Sequence, residues 1–256
     1  MNNYRRCPNE KNQSSLNNKK EISSKAKPQV SALERNMSVE NKKLKELIAY
    51  QNFNSVMDLS NQNLTDQDMG IIIQHGIVGK KCKSLNLWGN RFTHEGISIL
   101  VGILDGNKTL KELDLSYNRI SDRGVQMICT VLSSNTCVLQ DIDLSSNGIT
   151  DKGAIYLANM LKNNHTLTTL VLNHNEITND GLKSLVDALA HDNRKLIQLK
   201  LDFNPWITGR GVDYIFQSLK DNQILKEVYV KNCSVEDQDL PMLQEKAITF
   251  GLDVFI

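Results

Sequence analysis

The sequence has few of the residues on which disulfide-stapled, membrane or metal-binding proteins depend. Its 256 residues include four prolines, five cysteines and two tryptophans, and aromatic residues make up 5% of the chain. The cysteines have no C-x-x-C spacing, and an odd number without an apolar signal segment predicts free thiols in the reducing cytoplasm. No apolar run approaches the length of about 18 residues that a membrane span needs. We therefore expect a cytoplasmic protein without a membrane partner.

Motifs for catalysis are also missing from the sequence. The five histidines are dispersed, and none stands four residues from another or near a cysteine and carboxylate cluster that would complete a zinc site. There is no glycine-rich phosphate loop ending in Gly-Lys-Ser, and no Ser/His/Asp set is visible. The sequence therefore predicts a protein that is not an enzyme, with no catalytic residue, metal site, cofactor or small-molecule substrate.

The net charge of +1 hides an asymmetry along the chain. Residues 1–50 hold eleven Lys or Arg against five Asp or Glu, and the remaining residues hold nineteen against twenty-four. Residues 1–37 are rich in Asn, Ser and Lys without an apolar period, which predicts a disordered basic tail. Their cations are scattered and lack interleaved aromatics, so no nucleic-acid partner is expected.

Against these absences stands one regular feature, a short phrase that occurs seven times. Its centres are 28 or 29 residues apart, and each is an Asn except the first and the last. The centres are Gln62, Asn90, Asn118, Asn147, Asn175, Asn204 and Cys233. Self-similarity at this period around an Asn or Cys is typical of a leucine-rich solenoid.

The copy around Asn118 shows what each part of the phrase does. Leu113 and Leu115 alternate with polar residues, which predicts a short strand with the leucines in the core. Asn118 follows at the turn, where its amide can pair with backbone groups that would otherwise be buried without partners. The Asn column is therefore interpreted as structural.

A helix is predicted after each turn. In the same copy, Ser121 and Asp122 are of the type that caps a helix start, and Ile128 and Leu132 lie four apart on one helical face. Glycines recur at the first turn of these predicted helices, which indicates close packing. One repeat is thus a strand, a turn and a helix.

The phrases at residues 115–124 and 144–153 resemble the ribonuclease-inhibitor-like class of leucine-rich repeats. The resemblance implies an α/β fold, a right-handed βα horseshoe with parallel strands on the concave face and helices on the convex face. It covers residues 54–256, with about seven repeats and a C-terminal capping strand. A capping helix is expected over residues 38–53, because solenoid ends expose their core. That class includes inhibitors, GTPase-activating proteins, immune sensors and bacterial effectors, so it leaves the function open.

The register predicts which strand residues point out on the concave face. Four carboxylates on two neighbouring strands form what we call the acidic block: Glu112, Asp114, Asp141 and Asp143. The candidate partner-binding set contains these and six further outward residues: Trp88, Tyr117, His174, Lys200, Phe203 and Tyr229. Aspartate between two core leucines is also a common solvated filler of the repeat phrase. An exposed Trp, however, is costly to leave in water and is typical of interface anchors.

The favoured function is a non-enzymatic protein-interaction module or scaffold that binds a partner with a basic surface through the concave face. The alternatives are a Ran-type GTPase-activating protein, a bacterial effector, or a complex subunit that uses the repeats for docking. For the first alternative, Arg91, Arg119 and Arg123 lie on the turn side, where an arginine finger would act.

Overall fold

The structure is a computed structural model that describes residues 32–51, 55–219, 222, 224–250 and 252–256. By their contacts, the residues divide into two units, Met1–Ser38 and Val39–Ile256. The first 31 residues of the predicted basic tail lie outside the described residues, so the prediction of disorder there stays a prediction.

The first helix begins earlier than the sequence pattern predicted. α1 spans Ala32–Tyr50, whereas the expected capping helix covered residues 38–53, with Ser38 as its cap. The preceding residues include Ala, Leu, Glu, Arg and Met, which are all strong helix formers, so the helix continues back through them. Leu44 and Ile48 are buried in the core beside the first repeat.

Eight parallel strands form one sheet in chain order, which confirms the predicted parallel arrangement. Each strand is three residues long, and equivalent residues of successive repeats face each other, as Leu113 faces Ile142. The strands are β1 Val56–Asp58, β2 Ser84–Asn86, β3 Glu112–Asp114, β4 Asp141–Asp143, β5 Thr169–Val171, β6 Gln198–Lys200, β7 Glu227–Tyr229 and β8 Asp253–Phe255. β8 extends the sheet beyond the seventh repeat.

A helical segment follows each of the first seven strands. The first repeat is irregular, with a 3-10 helix at Asp66–Asp68, a short α2 at Met69–Ile71 and a π-helix at Ile72–Gly79. The regular helices are α3 His94–Leu104, α4 Ser121–Ser133, α5 Asp151–Leu161, α6 Asn179–His191, α7 Gly209–Leu219 and α8 Leu240–Phe250. Within the described ranges, none of the helices is both long and apolar enough to cross a membrane.

The strand leucines and the helix leucines of each repeat meet in one continuous core. Leu113 and Leu115 of the third repeat are at most 2% exposed, and Ile128 and Leu132 of its helix are fully buried. Burying one such side chain stabilises the fold by about 1.5–3 kcal/mol. A single repeat has only a few of them, so stability comes from stacking.

The Asn column joins neighbouring repeats through their backbones. The amide nitrogen of Asn175 donates to the carbonyl oxygens of Leu144 and Leu172, both at 3.1 Å. Its amide oxygen accepts from the backbone N–H groups of Asn147 and Ile149, also at 3.1 Å. Asn175 is 4% exposed, so these four bonds satisfy groups that water cannot reach.

Asp122 caps a different helix from the one predicted. Its carboxylate accepts from the N–H and the hydroxyl of Thr150 at 2.9 and 2.7 Å, and from the N–H of Gly153 at 3.0 Å. It therefore holds the start of α5, the helix of the next repeat. Its own helix, α4, is preceded by Ile120 without a side-chain cap, and Ser121 has a left-handed φ of 57°. Predicting that Ser121 and Asp122 would cap their own helix was wrong.

The contact with Asp122 also explains the recurring glycine. A Cβ at Gly153 would lie 2.5 Å from the Oδ1 atom of Asp122, closer than two such atoms can approach. Asp151 and Gly181 repeat the arrangement one repeat later, where a Cβ at Gly181 would lie 2.3 Å from the Oδ1 atom of Asp151. The recurrent glycines are therefore packing elements, as the sequence pattern predicted.

Candidate functional site

An open groove lies along the outward-facing side of strands β1 to β5, which we call the open sheet face. The groove has a volume of about 380 Å³, and the acidic block lines it. Register places Glu112 opposite Asp141 and Asp114 opposite Asp143. With Asp58, five carboxylates line the groove, and no Lys or Arg is among the described residues that line it. Neighbouring strands are about 4.8 Å apart, so the two pairs form a dense patch of negative charge.

Local hydrogen bonds and burial set the electrostatics of the acidic block. The Asp114 carboxylate accepts from the N–H and the hydroxyl of Ser116, and the Asp143 carboxylate accepts from the N–H of Ser145 at 2.8 Å. Burial raises the pKa of Asp143, and the charge of Asp114 raises it further. The bonds from Ser145 and the charge of Lys200 lower that pKa but offset only part of the rise. Asp143 is therefore a carboxylate that would gain from a cation beside it.

Four rings lie beyond the strand ends in a line that we call the aromatic row: Trp88, Tyr117, His174 and Phe203. Trp88 meets Tyr117 edge-on at 5.7 Å, and His174 stacks on Phe203 at 4.0 Å with 9° between the planes. Tyr117 and His174 are 6.4 Å apart across the intervening strand. Trp88, Tyr117 and Phe203 are 36%, 50% and 43% exposed. The row thus presents a broad apolar surface to solvent.

Three members of the aromatic row have a left-handed backbone conformation, which suits Tyr117 and Phe203 poorly. Tyr117, His174 and Phe203 have φ values of 53°, 54° and 58°, in the left-handed region. The equivalent residues of other repeats are Gly89, Asn61, Ser146 and Asn232. Gly and Asn adopt this region most readily, whereas a bulky side chain there costs about 1–2 kcal/mol. The Tyr117 and Phe203 rings are therefore exposed at positions where the backbone conformation is unfavourable for them.

We expect Tyr117→Asn to change the free energy of unfolding by less than about 1 kcal/mol, because relief of the left-handed strain offsets the lost contact with Trp88. Urea unfolding followed by circular dichroism measures this. The control is Phe92→Ala in the core, where Phe92 is fully buried and a loss of about 3–5 kcal/mol is expected. A loss near the control value for Tyr117→Asn would show that the ring is structural.

Lys200 and Tyr229 form a pair outside the lining of the groove, although the charge of Lys200 acts on Asp143 of the acidic block. The ammonium of Lys200 lies 5.1 Å from the ring centre of Tyr229, and that ring stacks on Phe255 at 4.3 Å. The Tyr229 hydroxyl donates to Glu227 at 3.0 Å. The ten predicted residues thus fall into four carboxylates, four rings and this separate pair. Phe255 was missed, although the alternation of β8 could have indicated it.

The turn side of the repeats holds a second cavity, of about 650 Å³, between α6 and α7. Trp206 forms one wall and is 62% exposed, and sequence reasoning did not single it out. Of the arginines considered for a GTPase contact, Arg91 donates to the side chain of Asn63 at 3.1 Å, and Arg119 and Arg123 are exposed.

The thiols and the histidines form no reactive or metal-binding cluster in the part of the chain that the structure describes. No group of three His, Cys, Asp or Glu residues there could hold a metal ion. Cys82, Cys129, Cys137 and Cys233 are free thiols. Burial raises the pKa of Cys82 and of Cys233 to about 11, so both are protonated at neutral pH and poorly nucleophilic.

Comparison with known proteins finds one matching repeat family and two long relatives. The family described as Leucine Rich repeat matches residues 106–129, 136–158 and 163–186. The chain is similar to human NACHT, LRR and PYD domains-containing protein 12, at 30% identity over 189 residues, or 73% of this chain. It is also similar to the rat NACHT, LRR and PYD domains-containing protein 3, at 30% identity over 191 residues, or 74% of this chain. The chain spans 18% of the length of each of these relatives.

Among solved structures, the fold is similar to the C-terminal domain of a tropomodulin from Caenorhabditis elegans. The TM-score is 0.50 at 15% identity, and the match covers 60% of this chain and 92% of that domain. At this level of identity the match reports on the fold alone. Together, the matched repeats and the named relatives support a protein-interaction module.

Proposed function

Because the chain is a leucine-rich repeat protein, we propose that it is a non-enzymatic interaction module whose open sheet face binds a basic surface of a partner protein. The observation that carries this proposal is the acidic block in an open groove, with the aromatic row beyond the strand ends. The relatives named above contain such repeats as one part of much longer proteins.

The two parts of the face have separate physical tasks. Carboxylates in a groove without a lining cation attract basic groups over several ångströms and favour correct encounter more than final affinity. Exposed aromatic rings supply the larger share of binding energy, since Trp and Tyr anchors dominate most interfaces. A partner that covers both parts would relieve the repulsion between paired carboxylates and remove the exposed rings from water.

Neutralising one pair of carboxylates tests the proposal. We expect the double variant Asp114→Asn, Asp143→Asn to capture at least about tenfold less partner from a cell extract, because each close charge pair contributes more than about 1.4 kcal/mol. The asparagines keep an oxygen that accepts the bonds from Ser116 and Ser145. Capture on the full-length chain is quantified by mass spectrometry.

A control variant with the same change in net charge separates the effect of the acidic block from the effect of net charge. Asp180 and Asp192 are exposed and lie at the two ends of α6, away from the open sheet face. The variant Asp180→Asn, Asp192→Asn changes the net charge equally and should retain full capture. Equal loss in both variants, or loss in neither, would contradict the proposed face.

The pH dependence of release follows from the pKa of Asp143. A cation is held only while this carboxyl is ionised, and its raised pKa means that protonation begins above the ordinary range near 3.8 as the pH falls. Partner release should therefore begin at a higher pH for the wild type than for Asp143→Asn. Identical release curves for the wild type and Asp143→Asn would exclude this role for Asp143.

A further inference from the structure

The geometry of the acidic block points to a particular spacing of side chains in the bound segment, and this inference rests on the proposed function. We infer that the groove binds an extended segment of the partner with two basic side chains at positions i and i+2, flanked two residues away by an apolar side chain. The segment runs along strands β3 and β4 rather than across them.

The first step of the argument is the pairing of carboxylates across the strands. Glu112 faces Asp141, and Asp114 faces Asp143, each pair separated by one strand spacing of about 4.8 Å. A single ammonium or guanidinium group between two such carboxylates can hydrogen-bond to both. The block therefore presents two cation positions, one for each pair.

The second step is the distance between those two positions. They are two residues apart along the strands, or about 6.6 Å at the rise of a β-strand. Side chains on one face of an extended ligand recur at that same interval, since the same backbone geometry sets both spacings. Basic residues at i and i+2 therefore match the two pairs in register, whereas adjacent basic residues point to opposite sides.

The third step is what the ligand meets at the end of the strands. Beyond Asp114, the chain continues through the buried Ser116 to the exposed ring of Tyr117, with Trp88 in edge contact. An apolar side chain two residues past the second cation reaches this pair of rings. The groove thus favours a basic, basic, apolar pattern with a spacing of two.

Short synthetic peptides test this pattern directly against the full-length chain. The probe is fluorescein-labelled Phe-Ser-Lys-Ser-Lys-Ser-Phe, with an apolar residue on both sides so that its direction does not matter. Seven residues are too few to form a stable helix in water, so binding reports on an extended form. Fluorescence anisotropy gives the affinity.

Two peptides of matched design serve as controls. Phe-Ser-Ser-Lys-Lys-Ser-Phe has the same composition and charge with adjacent lysines, and Ala-Ser-Lys-Ser-Lys-Ser-Ala lacks the apolar ends. We expect the probe to bind at least about tenfold more tightly than either control. We also expect Glu112→Gln with Asp141→Asn to weaken the probe at least about tenfold.

The outcomes separate this inference from the proposed function. The fully neutralised acidic block carries Glu112→Gln, Asp114→Asn, Asp141→Asn and Asp143→Asn. If the probe and the adjacent-lysine control bind the wild type equally and both lose affinity for this variant, the inferred spacing is overturned. The proposal of a partner with a basic surface would then still stand. Binding that is unaffected by neutralisation, or no binding by the probe, would also overturn the inference. The proposed function is decided independently by partner capture.

Discussion

Trp88→Ala will reduce partner capture by the full-length chain about 30-fold or more, since a central interface Trp contributes at least about 2 kcal/mol. Trp88 follows β2, whose residues line the acidic groove, and its ring is in edge contact with Tyr117 of the aromatic row. Truncation removes the largest apolar side chain of the face. The fold is expected to be unaffected, because the ring is already 36% exposed and its residue lies outside the core.

The second tryptophan provides a matched control for this experiment. Trp206 is 62% exposed and lies by the cavity between α6 and α7, on the turn side. Trp206→Ala removes the same side chain from a different surface, so capture should stay at the wild-type level. Loss with Trp206→Ala but not with Trp88→Ala would move the interface to the turn side.

Asn175→Ala should lower the free energy of unfolding by about 3–5 kcal/mol, as much as the loss of a buried Phe side chain. The substitution leaves the carbonyl oxygen of Leu144 and the N–H groups of Asn147 and Ile149 buried without partners, and each costs about 1–3 kcal/mol, reduced by local relaxation. The Leu172 carbonyl keeps a bond from the Asn204 amide at 3.0 Å. Since those groups belong to neighbouring repeats, the loss weakens the junction between them. Urea unfolding monitored by circular dichroism measures the change.

Asn163→Ala is the control for this stability prediction. Asn163 is exposed and lies just after α5, so its replacement should change the stability by less than about 0.5 kcal/mol. If Asn175→Ala costs less than about 1 kcal/mol, the amide column is not what joins the repeats.

These two predictions divide the polar residues of the repeats into two kinds. The Asn column is buried and bonded to the backbone, so its substitution acts on stability. The aromatic row is exposed, and Tyr117 and Phe203 occupy an unfavourable backbone region, so its substitution is predicted to act on binding. The position within the repeat tells the two kinds apart, and closeness in the chain does not, since His174 and Asn175 are adjacent.

Much of the fold could be predicted because its parts recur. The period of 28 or 29 residues fixes the strand register, and the alternation within each phrase fixes which leucines are buried. The positions of the acidic pairs followed from the same register. What was predicted wrongly concerns the ends of elements: α1 begins at Ala32, and Asp122 caps the helix of the following repeat.

The sequence by itself therefore determined the architecture, because periodic burial of leucines requires that each residue be either core, turn or surface. Only the tertiary structure decided which surface residues contact one another. It showed that Trp88 and Tyr117 are in contact, and that Tyr229 stacks on Phe255 instead. Such contacts join residues that are about one repeat apart and depend on side-chain direction and left-handed backbone angles. The one-dimensional pattern contains neither of these, so the structure alone divides the face into groove, row and separate pair.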